Sequence, residues 1–135
     1  MSRDKNVALV RKRFEELDCG NFDVLDELFS PSYELHPVGD AKPLSLDETK
    51  ALYRYLYRAF PGLKHEISEQ FVDGDKVVTI WSATGEGGGG QPVTFGGINV
   101  YTIDDGKFVR SDVSWDLSAA IQPGGESVFE AARGG

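Results

Sequence analysis

The sequence predicts an α+β domain, and three observations lead to that class. Up to residue 60, apolar residues return at three- and four-residue steps, the period of a helix. From residue 63 onward they alternate, the period of a strand. The alternating segments are joined by "DGD" and "DDGK", turn sequences at hairpin spacing. Helices followed by an antiparallel meander pack on one face of a curved sheet.

Each element follows from local residues. Residues 4–18 place Val7, Val10, Phe14 and Leu17 on one helical stripe, and "CGN" ends the helix with a left-handed cap at Gly20 or Asn21. "FDVLDELF" (22–29) predicts a second short helix with Leu25, Leu28 and Phe29 inward, stopped by "SPS". "YELH" (33–36) is a short extended piece before the Pro/Gly-rich "PVGDAKPL". "SLDETKALYRYLYRAFPG" is the clearest helix: Ser45 and Glu48 form a capping box, Leu46, Leu52, Tyr53, Leu56 and Phe60 mark the buried side, and "PG" terminates it. Four strands follow at 63–72, 76–86, 91–103 and 107–117. Gly96–Gly97 interrupts the third, predicting a bulge or bend. The Gly- and Pro-rich tail from Gln122 is expected to fray, and no internal repeat is visible.

The 135 residues are expected to form one domain, 1–135, large enough to bury a core without staples. A hydrophobic content of 40% and a charged content of 27% fit a soluble globular chain. A net charge of −8 argues against nucleic acid and anionic membranes as partners. Cys19, the sole cysteine, excludes an internal disulfide and sits at a helix-to-turn junction away from any His or Cys, so it reads as incidental. "MSRDKNVALVRKRF" has no apolar signal region and no apolar run approaches the roughly 18 residues of a membrane helix, so a cytoplasmic protein is expected.

The stretch "FVRSDVSWDLS" (108–118) carries two aspartates on a strand, where Asp is uncommon. Uninterrupted alternation puts Phe108, Arg110, Asp112, Ser114 and Asp116 on one face, and Val109, Ser111, Val113 and Trp115 on the other. Four strand residues span roughly 13 Å, so Asp112 and Asp116 do not form a proton-sharing dyad. If Asp116 faces a cavity, Val113 and Trp115 face outward and are the expected homodimer patch.

In order, "FEELDCGNFDVLDELFSPSYELHPVG", "LSLDETKALYRYLYRAFPGLKHEI", "VDGDKVVTIWSATG", "QPVTFGGINVYTIDDGKFV" and "SWDL" resemble the SnoaL-like polyketide cyclases of the nuclear-transport-factor-2-like superfamily. The likeness runs from residue 6 to about 121; its strength is the ordered series, since no single piece is diagnostic. It implies a cone-shaped α+β barrel, a curved and mostly antiparallel sheet wrapped around a pocket, with three N-terminal helices. It also implies a catalytic aspartate acid/base on the last long strand, which falls on Asp116. His36 matches a polar position that lines the pocket in relatives, and His65 a histidine at a strand start. Where relatives carry a longer histidine-containing insertion, this chain has "GEGGGGQ" (85–91), so closure or substrate choice is expected to differ. That loop lacks the GK[ST] and strand-to-helix context of a phosphate cradle.

A desolvated carboxylate at Asp116 would take a proton from carbon beside a carbonyl and return one to the new alkoxide, as intramolecular aldol closure requires. The bland reading is a cap on "LSAA". Asp112 is either an anchor for the far end of a polar substrate or an ion-pair partner of Arg110 or Arg54. His36 and His65 are each either substrate-facing or structurally satisfied. No His/Cys cluster has metal-ligand spacing, so no metal and no cofactor are expected. Tyr33, Tyr53, Tyr57, Trp81, Phe95, Asn99 and Trp115 are core or pocket candidates; collectively they suit a flat hydrophobic small-molecule ligand. The expected function is a SnoaL-like enzyme acting on a hydrophobic carbonyl compound by aldol cyclisation, isomerisation or dehydration. The rivals are a non-catalytic ligand-binding or interaction module and an epoxide hydrolase-like hydration.

Overall fold

A computed structural model describes residues 3–40 and 42–116. Three helices, α1 (Arg3–Asp18), α2 (Val24–Leu28) and α3 (Leu46–Ala59), pack against one mixed sheet. Its strands are β1 (Phe29–Pro37), β2 (Leu44–Ser45), β3 (Lys64–Asp73), β4 (Lys76–Glu86), β5 (Pro92–Asp104) and β6 (Lys107–Asp116), in the order β2-β1-β6-β5-β4-β3. All pairs are antiparallel except β1 with β6.

The local signals set the helix ends. After α1, Gly20 takes φ +87° while its N–H donates to the Leu17 carbonyl and Asn21 N–H donates to Glu16, a Schellman arrangement. At α3, Ser45 Oγ accepts from Glu48 N–H at 3.2 Å and Glu48 Oε1 accepts from Ser45 N–H at 2.9 Å, which completes the capping box. The β5–β6 turn has both Asp105 (φ 51°) and Gly106 (φ 75°) in the left-handed region, as a two-residue hairpin turn requires.

Several expectations are corrected. The second helix is shorter than 22–29, and Phe29 instead opens a nine-residue strand that the "SPS" stretch does not stop. Pro31 is tolerated because the β1–β6 register breaks between Phe29 and Glu34. Gly96 and Gly97 form no bulge; pairing with β4 and β6 runs unbroken through both. They are glycines because of close approach: a Cβ on Gly97 would lie 2.7 Å from the Ser114 carbonyl oxygen and 2.8 Å from Trp115 Cδ1.

The bulge lies elsewhere. Thr102 pairs with Arg110 but Ile103 pairs with Phe108, so Val109 is an extra residue on β6. One inserted residue moves everything beyond it to the opposite face. Phe108 is buried, and so are Ser111 and Val113, while Arg110, Ser114 and Asp116 are exposed. The expected orientation of this strand is therefore reversed: Trp115 points in and Asp116 out. The expectation of a frayed tail from residue 122 lies outside the described residues.

Candidate active site

The inner faces of α1, α3 and strands β3 to β6 enclose an aromatic cavity. Seven residues singled out from sequence converge on its wall: Tyr53 and Tyr57 from α3, His65 from β3, Trp81 from β4, Phe95 and Asn99 from β5, and Trp115 from β6. Helical spacing of one turn brings the two tyrosines together, and odd-numbered alternation does the same for Phe95 and Asn99. The free space at the centre is about 10 Å³, room for about one water molecule.

At one edge His65 meets Asp18, the last residue of α1. The Asp18 carboxylate accepts three hydrogen bonds: from Tyr57 OH at 2.6 Å, from His65 N–H at 2.7 Å and from His65 Nδ1 at 2.8 Å. Both side chains are 11% exposed. The contact fixes the tautomer: Nδ1 carries the proton toward Asp18, and Nε2 keeps the basic lone pair. Burial lowers the His65 pKa below its ordinary value, and the Asp18 carboxylate only partly offsets this. Burial alone would raise Asp18, but the hydrogen bonds from His65 and Tyr57 outweigh it and hold the carboxyl low. Tyr57 is pushed upward by burial and then by Asp18, so it stays a donor. The His65 ring also packs against Trp81 and Phe14, at centroid distances of 5.1 and 5.2 Å. A neutral, oriented imidazole beside an apolar cavity is the arrangement of a general base.

Sequence reasoning missed two residues here, Asp18 and Arg13. Asp18 ends a helix, where the carbonyl dipoles disfavour a carboxylate, and that mismatch was a readable signal. Arg13 falls on the stripe of Val10 and Leu17 and is buried with them. Its Nη2 donates to Tyr53 OH at 2.6 Å.

Tyr33 is buried in the core, donating to Ser111 Oγ at 2.7 Å, and three further candidates lie on the outer face of the sheet. Asp116 is exposed and borders a shallow outer groove with Ile98 and Ser114. Asp112 accepts both Arg110 Nε at 2.9 Å and Arg110 Nη2 at 2.8 Å, and this pairing holds its carboxyl below the usual range. His36 Nε2 lies 3.0 Å from Glu34 Oε1 and stands beside Asp112 across the β1–β6 pair. The Val109 bulge accounts for both aspartates. His36 faces out because Tyr33, Leu35 and Pro37 take the buried positions of β1. Val113 is 2% exposed and Trp115 donates from Nε1 to Asn99 Oδ1 at 2.7 Å, so neither forms the expected outward dimer patch.

Among the described residues, no His/Cys/Asp/Glu group has the makings of a metal site and no helix is long and apolar enough to cross a membrane. No curated protein matches the chain. Solved structures do. A candidate SnoaL-like polyketide cyclase from Jannaschia sp. CCS1 is 25% identical, with 88% of this chain and 92% of that one covered and a TM-score of 0.77. A candidate polyketide cyclase from Acidithiobacillus ferrooxidans is 24% identical over 99% of both chains, TM-score 0.75. IdmH, a candidate polyketide cyclase from Streptomyces antibioticus, is 19% identical over 96% of this chain and 99% of its own, TM-score 0.76. The sequence profile of the SnoaL-like domain matches residues 10–111. With the profile spanning most of its length and its α+β architecture shared by these structures, the chain belongs to the SnoaL-like domain family.

Proposed function

We propose that this chain is an acid/base enzyme acting on an apolar carbonyl compound, in the manner of polyketide ring closure, with His65 as the base and Asp18 as its positioning residue. The observation that carries this reading is the triply hydrogen-bonded Asp18 carboxylate, which holds a neutral imidazole at the wall of the aromatic cavity. His65 Nε2 would take a proton from carbon beside the carbonyl. The resulting enolate would attack a second carbonyl of the same molecule, and the imidazolium would return the proton to the new alkoxide. The cyclase names carried by the structural relatives support the same reaction class. Epoxide hydration would call for two carboxylates around one water. Asp112 and Asp116 instead face away from the cavity, which gives that rival no support.

The test is proton exchange. 2-Tetralone in deuterated buffer should lose its α-protons faster with the protein than without it, and His65→Gln should slow that exchange by about a hundredfold or more. Unchanged exchange in the variant sinks the proposal. The small free volume favours a second reading, a ligand-binding module that opens around its guest. That reading wins if 2-tetralone binds while the wild type leaves its exchange rate at the buffer value.

A further inference from the structure

Arg13 carries a charge that no described residue neutralises. It is 3% exposed and lines the cavity. Its guanidinium carbon lies 4.3 Å from the Phe14 ring centroid, 4.9 Å from Tyr53 and 5.5 Å from Tyr101. Tyr53 OH takes one of its hydrogens, while Nε is buried with no partner. None of the ion pairs among the described residues includes it. Aromatic faces offset part of the desolvation of a buried cation, but an uncompensated one remains destabilising.

The polar groups around it point the same way. Trp81, another residue lining the cavity, also has its Nε1 buried without an acceptor. The Asn99 amide is already committed, donating to Tyr101 OH at 2.7 Å and accepting from Trp115. Two residues of the cavity wall therefore carry buried, unsatisfied donors, one of them belonging to a full positive charge among aromatic rings. The complement is an oxygen anion on a flat apolar skeleton, and the planar guanidinium fork suits a carboxylate.

We propose that Arg13 anchors a carboxylate, so that the cavity takes aromatic or polycyclic carboxylic acids in preference to their neutral analogues. This rests on the cavity being the ligand site and narrows its substrate class to keto acids. Calorimetric titration with 2-naphthoate and with its neutral isostere 2-naphthamide tests it. The wild type should bind the acid at least tenfold more tightly than the amide. Arg13→Met, which keeps length without charge, should bring the two affinities together, whereas His65→Gln should keep the preference even if exchange is lost. Should Arg13→Met not fold, Arg13→Lys, with charge but no fork, should show a reduced preference. Equal affinities in the wild type, a preference surviving Arg13→Met, or no binding of either probe at millimolar concentration overturns the proposal. So does an Arg13→Met protein that keeps its naphthoate affinity but slows 2-tetralone exchange, because that marks an enolate-stabilising group.

Discussion

Asp18 closes α1 where the helix carbonyls already concentrate negative charge, and three hydrogen bonds hold it there. Lys64 helps, donating from Nζ to the Asp18 carbonyl at 2.7 Å. Because Asp18 raises a His65 pKa that burial lowers, Asp18→Asn should move the acid limb of exchange to still lower pH and reduce the plateau rate. A pH–rate profile checks both. The sign for stability follows from linkage. The unfolded histidine titrates near about 6.5 and the folded one below it. This contribution is therefore complete above that pH and is lost as pH falls through the folded value. Urea midpoints at pH 7 and pH 5 should differ less in His65→Gln than in the wild type. Asp116→Asn, on the outer face, should leave exchange within about twofold; a large loss would return Asp116 to the mechanism.

At the scale of elements, β6 is set by a single inserted residue. Val109 lets Phe108 and Trp115 both face inward although their sequence spacing alone would place them on opposite faces. Strict alternation, applied through Val109, put the wrong half of the strand in the cavity. The caps, the long helix and the four later strands were legible because their signals lie within a few residues of one another. The parallel β1–β6 pairing and the contact of Asp18 with His65, 47 positions apart, were not, since both depend on tertiary placement. Gly97 was read as a bend but marks a close approach. Gly97→Ala should destabilise by about 1–3 kcal/mol, measured by chemical denaturation, since the new methyl would strike the Ser114 carbonyl and the Trp115 ring.

At the scale of the molecule, the two faces of the sheet have different work. The inner face carries the core and the cavity. The outer face exposes Phe71 and Ile98, with Val78 opposite Phe71 and Ile80 opposite Ile98. Val113 and Trp115 do not offer the outward patch expected for a homodimer, and the exposed apolar side chains of the sheet lie here instead, where we propose that two copies pair. Sedimentation at micromolar concentration should show a dimer that Phe71→Lys with Ile98→Lys converts to monomer, and a monomeric wild type removes that expectation. Such charges on the outer face should leave 2-tetralone exchange intact, since the cavity lies on the other side of the strands.

The aromatic cavity has so little room that a guest of the proposed kind would not simply diffuse in. Rings around it would have to swing aside first, and that motion would belong to the protein. In a stopped-flow experiment the observed association rate should therefore climb with ligand concentration and then level off. The plateau would be the same for guests of different affinity, because it reports how often the protein opens and not how well the guest fits.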